Sequence, residues 1–105
     1  MATDMNKLDA RQELLIITME ECGELIQACS KLLRRNELYG NSTEINNLKC
    51  EIGDVMCMLE LMAEYDVISY DEVTDRMRDK RHKLSKWSEL VNPDEFKNNP
   101  NAPKL

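Results

Sequence analysis

Two pairs of acidic residues stand out in this sequence, because each pair interrupts the apolar stripe of a predicted helix. Glu21 and Glu24 form the first pair, and Glu51 and Asp54 form the second. A spacing of i, i+3 places both carboxylates of a pair on one helix face, about one turn apart. On a helical wheel both pairs fall on the arc of the apolar residues, so we expect all four acids to face the core.

Four ionised carboxylates in a core would repel one another, and each would be costly to bury without a partner. A bound divalent cation removes that cost. Ligands that are all oxygen, with no histidine or thiolate among them, favour Mg²⁺ or Mn²⁺ over zinc or copper. The alternative is that the acids lie at the edge of each stripe and form ion pairs with Lys or Arg.

Three long helices are predicted to position these acids. The first begins after an N-cap at Asp9 and runs to about Asn36, and the second covers about 43–64. The third begins with a capping box at 69–72 and continues through Trp87. The predicted fold is therefore all-α, a helical bundle of three long helices with room for a short fourth.

The length of 105 residues allows one domain with a modest core. We assign residues 1–90 to that domain and residues 91–105, which are locally rich in Asn and Pro, to an irregular C-terminal tail. The second helix is apolar around most of its circumference, which predicts a homodimer or homotetramer that buries the excess surface. A central position within a monomeric bundle would explain the same pattern.

Charge and composition exclude several classes of partner. The formal net charge of −6 argues against binding to a nucleic acid polymer or an anionic membrane. The N-terminal residues have no apolar signal region and no segment is apolar enough to span a membrane, so we expect a cytoplasmic protein. The four cysteines form two pairs, one on each of the first two helices, and the members of a pair are seven residues apart. This separation is too large for a disulfide or a zinc site within either helix. We expect buried free thiols, and pairing between helices stays open.

Basic and aromatic residues are placed to meet an anionic ligand. Lys31 and Arg35 continue the acidic stripe of the first helix and can contact phosphate oxygens, although they would also complement the helix dipole. Lys80 falls within the apolar stripe of the third helix and should reach inward, with Lys83 at the edge of that stripe. Trp87 can stack on a nucleobase or belong to a core or an interface.

The sequence Glu20-Glu21-x-x-Glu24, followed by Glu51-x-x-Asp54, resembles the signature of the MazG-like, all-α nucleoside triphosphate pyrophosphohydrolases. The resemblance covers the first two helices and extends into the basic part of the third. It implies Mg²⁺-dependent hydrolysis between the α and β phosphates of a nucleoside or deoxynucleoside triphosphate, giving a monophosphate and pyrophosphate. Carried over position by position, Glu21, Glu24, Glu51 and Asp54 are the metal ligands.

The same resemblance implies further roles. Glu20 is either another ligand or the residue that orients or deprotonates the attacking water, so Glu20 and Glu21 are the expected catalytic residues. Lys80, Lys31 or Arg35 would stabilise the departing pyrophosphate. Met77 departs from the family pattern, in which a cation is common at this position. Apart from the resemblance, a helical wheel of the third helix places His82 toward solvent, which argues against acid–base catalysis by histidine.

A second function class fits the same sequence. In a noncatalytic helical protein-interaction module, the apolar second helix would bind a partner and the acids would form a polar network that gives specificity. Hydrolysis of a nucleotide, or its absence, distinguishes the two hypotheses.

Overall fold

The structure is a computed structural model that describes residues 9–96. It contains helix α1 (Ala10–Arg35), helix α2 (Thr43–Glu64), helix α3 (Tyr70–Trp87) and a 3₁₀ helix (Pro93–Phe96), and no strand occurs in this range. The all-α prediction is confirmed, and the first two helices have the predicted bounds. The chain divides into two compact units, the first ending at Val67 and the second beginning at Ile68.

Helix α1 is capped at both ends by the residues that flank it. The backbone N–H of Gln12 donates to the Asp9 carboxylate at 2.8 Å, and the backbone N–H of Asp9 donates to the Gln12 side chain at 3.0 Å. This reciprocal pair is a capping box that satisfies two N–H groups at the start of the helix. At the other end, Asn36 takes the left-handed conformation with φ of 51° and its N–H donates to Leu32.

The connection from α1 to α2 contains residues that favour a turn. Gly40 has φ of +90°, a conformation that a residue without Cβ adopts at little cost. Ser42 is the N-cap of α2, and its hydroxyl accepts a hydrogen bond from the backbone N–H of Ile45 at 3.1 Å. The chain therefore reverses between Asn36 and Ser42, and α2 returns along α1.

Two polar contacts tie the antiparallel hairpin of α1 and α2 at its ends. The Arg11 guanidinium, in the first turn of α1, donates to the backbone carbonyl of Asp66 just beyond α2 at 3.0 Å. At the opposite end, Arg35 forms an ion pair with Glu44, in the first turn of α2, at 3.1 Å. The central parts of both helices are thereby held side by side.

The buried core of the chain is small. Its apolar members within the hairpin are Leu14, Ala28, Leu32 and Met58, and no side chain of the described residues is completely buried. Many large apolar side chains are instead exposed, among them Met19, Ile26 and Leu33, each at 70–73%. A surface of this kind is typical of chains that bury it against a partner.

The second unit consists of α3 and the short helix that follows it. Ser69 is the N-cap of α3, as predicted, but its side chain makes no capping hydrogen bond, so the predicted capping box does not form. The segment expected to be an irregular tail contains the 3₁₀ helix, which packs against α3. Arg81 forms a bidentate ion pair with Glu95, and the rings of His82 and Phe96 stack at 4.7 Å. Residues 97–105 lie outside the described residues.

Two sequence-based expectations about surfaces can be compared with the structure. All four cysteines are free, as expected, but each is exposed in the chain and not buried. None of the helices within residues 9–96 could span a lipid bilayer.

Candidate metal centre and adjoining cavity

The four acids converge between the middles of α1 and α2. Glu21 and Glu24 project from α1, and Glu51 and Asp54 project from α2. Each residue offers one carboxylate oxygen, and these four atoms all lie within 4.8 Å of one another. The two i, i+3 pairs therefore meet across the hairpin. We call this cluster the acid cage.

The acid cage is open on one side. Glu21 and Glu51 are half-buried, whereas Glu24 and Asp54 are exposed. The expectation that all four acids face the core is therefore wrong for Glu24 and Asp54. Each of these two residues lies about 60° around its helix from the first acid of its pair, so its carboxylate reaches the cage from the rim.

Like charges and partial burial act together within the cage. Burial raises the pKa of Glu21 above its ordinary value, and repulsion from Glu24 and Asp54 raises it further. Burial also raises the pKa of Glu51, with repulsion from Glu24 as the next cause. Both shifts mean that the ionised form of the cage is strained in the folded chain without a bound cation.

No basic side chain neutralises the cage within residues 9–96. The ion pairs of this range join Arg35 to Glu44, Arg78 to Asp75 and Arg81 to Glu95. The alternative in which the four acids form ion pairs with Lys or Arg therefore finds no support in the described part of the chain.

The donor set of the cage fits a hard divalent cation. The Oε2 atoms of Glu21 and Glu51 are buried and have no hydrogen-bond partner among the described residues. Such atoms are costly to leave unpaired, and a cation satisfies them. Because every donor is a carboxylate oxygen, the residues suit Mg²⁺ or Mn²⁺ better than zinc or copper.

The hairpin has two unlike long sides. The line along which α1 and α2 touch divides the surface of each helix into two sides. Because the helices are antiparallel, residues that are rotated away from this line in the same direction on each helix lie on the same side of the hairpin. We define the acid flank by its exposed polar residues, which are Glu20, Glu24, Gln27 and Lys31 of α1 with Asn47 and Asp54 of α2. We define the apolar flank by its exposed residues, which are Leu15, Cys22, Ile26, Cys29 and Leu33 of α1 with Ile52, Met56 and Leu59 of α2.

A cavity of about 250 Å³ adjoins the acid cage on the acid flank. Its lining consists of Glu24, Gln27, Ala28 and Lys31 of α1 with Glu44, Asn47 and Glu51 of α2. Two cage acids thus form one end of the cavity, and Glu44 lies two helical turns away along α2, about 10 Å by helix geometry. A ligand held at the cage can therefore extend into the cavity.

The remaining predicted residues of the hairpin have different surroundings. Glu20 is exposed beside the cage and does not belong to the cluster of four. Lys31 lines the cavity. Arg35, which we expected to contact phosphate, forms an ion pair with Glu44 and keeps 61% of its side chain exposed. Contact of Lys31 and Arg35 with a ligand stays a prediction.

The predicted residues of α3 belong to the second unit. Lys80 is exposed, so the expectation that it reaches inward is wrong, and Met77 of the same predicted stripe is exposed as well. Lys83 is half-buried, and Trp87 is 82% exposed. The 3₁₀ helix instead packs against α3 at Arg81 and His82, of which His82 is half-buried. The roles of Lys80, Lys83 and Trp87 toward substrate stay predictions.

His82 differs from its prediction. Its ring is half-buried against Phe96, and its Nδ1 atom is buried without a hydrogen-bond partner among the described residues. The helical wheel placed it in solvent because it could not include the chain that returns after α3.

Sequence reasoning missed Glu44. This residue is buried, with a side chain only 7% exposed, and it lines the cavity. Its position offered a signal, because Glu44 precedes Glu51 by seven residues and therefore lies on the same face of α2. Removing the charge of Glu44 from water is unfavourable, as it is for the buried acids of the cage. The ion pair with Arg35 offsets part of this desolvation cost.

Comparison with known proteins gave one result. The family model described as MazG nucleotide pyrophosphohydrolase domain matches residues 9–88, which include the whole hairpin, the acid cage and all of α3. Neither the search of curated proteins nor the search of solved structures found a match.

Proposed function

Because the chain belongs to the MazG nucleotide pyrophosphohydrolase family, we propose that it hydrolyses nucleoside or deoxynucleoside triphosphates between the α and β phosphates. The products are a nucleoside monophosphate and pyrophosphate. The family is typically dependent on a divalent metal. For this chain we propose Mg²⁺, with Mn²⁺ as a substitute.

The observation that carries this proposal is the acid cage itself. Four carboxylates from two helices come within 4.8 Å of one another, and no ion pair of the described residues neutralises them. In the proposed site, Glu21, Glu24, Glu51 and Asp54 hold the metal. The bound metal would offset the charge that develops on the phosphates and activate a water.

Glu20 is the proposed partner of the attacking water. It is exposed and directly precedes the cage acid Glu21 on α1. A carboxylate in this position can accept a hydrogen bond from the water, orient it and take its proton. In this assignment Glu20 and Glu21 are the catalytic residues, with Glu21 acting as a metal ligand.

Cations supplied by the chain would contact the bound substrate. Lys31 is on the acid flank, two turns along α1 from Glu24, and its flexible ammonium can follow a phosphate oxygen. Arg35 lies one turn further and retains guanidinium donors beyond the one that meets Glu44. Lys80, Lys83 and Trp87 complete the proposed set of substrate contacts.

We further propose that the apolar flank pairs with a second copy of the chain, giving a homodimer or homotetramer. On α1, the apolar flank residues Leu15, Cys22, Ile26, Cys29 and Leu33, together with the exposed Met19, are spaced alternately by four and three residues. On α2, residues Ile45, Leu48, Ile52, Val55, Leu59 and Met62 alternate in the same way. This heptad spacing is typical of helices that pack in four-helix bundles, and two hairpins supply four helices.

A comparison of three variants tests the hydrolase proposal. We expect purified protein to release pyrophosphate from a panel of nucleoside triphosphates with Mg²⁺ and to lose this activity in EDTA. Glu21→Gln and Asp54→Asn should each lower kcat by about a hundredfold or more, because each removes a charge from the cage. Glu60→Gln is the matched control, since Glu60 is an exposed acid of α2 outside the cage.

The outcome also decides the alternative function. The exposed apolar flank supports a noncatalytic interaction module, whose partner would bind there. That reading requires wild type and both cage variants to be equally inactive toward every nucleotide while circular dichroism shows all of them folded. Activity that depends on Glu21 and Asp54 excludes it.

The four free thiols accord with a reducing compartment, and a cytoplasmic location is part of the proposal.

A further inference from the structure

The cavity beside the acid cage has a polar far end, two helical turns along α2 from the cage. Glu44 forms that end. Its side chain is 7% exposed and therefore 93% buried. One carboxylate oxygen, Oε1, meets the Arg35 guanidinium at 3.1 Å. The other, Oε2, is buried and has no hydrogen-bond partner among the described residues.

An ionised carboxylate only accepts hydrogen bonds, so the Oε2 atom of Glu44 requires a donor. Leaving such an atom unpaired in a buried place is costly, and a ligand that supplies an N–H group removes that cost. A phosphate in direct contact with the Oε2 atom would offer it only acceptor oxygens and negative charge, and no donor. The far end of the cavity therefore suits an uncharged group that carries a donor.

Two side-chain amides lie between Glu44 and the cage. Gln27 of α1 and Asn47 of α2 both line the cavity, and both are exposed. No side-chain hydrogen bond engages either amide within the described residues. Each amide offers both a donor and an acceptor to a ligand.

The distance along α2 matches a nucleotide bound at the cage. Glu44 and Glu51 are two helical turns apart, about 10 Å. This separation is comparable with the reach from the α phosphate of a nucleotide to the far edge of its base. A nucleotide with its phosphates at the cage would place its base against Glu44, Gln27 and Asn47, at the end of the cavity where Lys31 and Arg35 also lie.

We propose that this cavity holds the base and that Glu44 selects nucleotides with an amino group at position 4 of a pyrimidine or position 6 of a purine. The inference rests on the proposed hydrolase function. Cytosine and adenine carry an N–H donor there, next to a ring nitrogen that accepts, and Glu44 with Asn47 or Gln27 offers the complementary acceptor and donor. Uracil, thymine, guanine and hypoxanthine carry an oxygen at the same place, which would face the carboxylate of Glu44.

Matched nucleotide pairs test this selection. CTP and UTP differ at this group, as do ATP and ITP, so each pair isolates the contact with Glu44. We expect wild type to favour the amino member of both pairs by about ten- to a hundredfold in kcat/KM. In Glu44→Gln the preference should fall to within about threefold, because a carboxamide can turn either a donor or an acceptor toward the base. Glu60→Gln should keep the wild-type preference.

Binding of the products gives a second measurement that does not depend on turnover. Calorimetry with CMP and UMP should show tighter binding of CMP to wild type and similar binding of both to a folded Glu44→Gln variant. Equal use of both members of each pair by wild type, or an unchanged preference in folded Glu44→Gln, overturns the inference while the hydrolase proposal stands. If the variant does not fold, the wild-type pairs decide. Failure to release pyrophosphate from any nucleotide overturns the hydrolase proposal instead.

Discussion

The acid flank and the apolar flank belong to the same two helices, yet each leaves a different kind of group without a partner. In the acid cage, which borders the acid flank, buried oxygens of Glu21 and Glu51 have no donor among the described residues. On the apolar flank, side chains such as Ile26 and Met56 are exposed to solvent. The first deficit is local and electrostatic, and one cation removes it. The second is proportional to area, and only another apolar surface removes it.

The comparison shows how one amphipathic hairpin can serve two purposes. The contact line between α1 and α2 contains a short run of buried side chains, including Leu14, Ala28 and Met58. Residues on one side of this line are free to carry charge, and residues on the other side are free to carry apolar surface. The proposed metal site and the proposed interface with a second copy are thereby separated by less than half a turn around each helix.

The largest effect should come from the acid flank. The double variant Glu24→Gln with Glu51→Gln removes two of the four charges, so we expect Mg²⁺ affinity to fall by about a hundredfold or more. Titration calorimetry, or displacement of bound Mn²⁺ followed by electron paramagnetic resonance, measures this change. Similar affinity in the double variant and wild type would place the ion elsewhere.

The next effect concerns the apolar flank. Ile26→Asp puts a charge where we propose a second copy packs, so the dimer should weaken by about a hundredfold while each chain stays helical. Sedimentation velocity over a range of concentrations measures it. Ile16→Asp is the control, since Ile16 is an exposed isoleucine of α1 that is not part of the apolar flank. Wild type that sediments as a monomer at all concentrations would contradict the assembly.

The cysteines provide a finer test of the same contrast. Cys22 and Cys29 lie on the apolar flank, whereas Cys50 and Cys57 do not, and all four are exposed in the single chain. In the assembled protein, alkylation of Cys22 and Cys29 should therefore be slower than alkylation of Cys50 and Cys57. Mass spectrometry of peptides after brief labelling measures the rates, and Ile26→Asp should remove the difference.

The smallest effect is a dependence of stability on pH. The pKa values of Glu21 and Glu51 are raised in the folded chain, so the folded state takes up protons before the unfolded state does as pH falls. The metal-free protein should therefore become more stable as pH falls from neutral through these raised values to the ordinary range of glutamate. Mg²⁺ should weaken or reverse this trend, because it competes with protons for the cage. Thermal melts with EDTA and with Mg²⁺ compare the two cases.

Local sequence was enough to predict most of the hairpin. The bounds of α1 and α2 follow from periodicity and, for α1, from the cap at Asp9, which acts over three residues. The i, i+3 spacing was also enough to bring each acid pair to one helix face. That the two pairs meet required only an antiparallel return, which the short connection enforces.

The predictions that were wrong or incomplete share a different cause. The burial of His82 depends on Phe96, fourteen residues later, and the exposure of Lys80 depends on which side of α3 the returning chain covers. The importance of Glu44 depends on Arg35 across a loop and on a cavity between two helices. A helical wheel treats one helix at a time, so it contains none of these relations.

The two ties of the hairpin have a consequence for its motions. Arg11 holds the residue beyond the end of α2, and Arg35 holds its first turn, whereas the acids between them repel one another. Isolated helices ordinarily open from their ends. Here polar contacts hold both ends of the hairpin, and the repulsion between carboxylates acts at its middle. Without an ion, amide hydrogens around Glu21 and Glu51 should therefore exchange faster than their central position suggests, and Mg²⁺ should slow exchange there most.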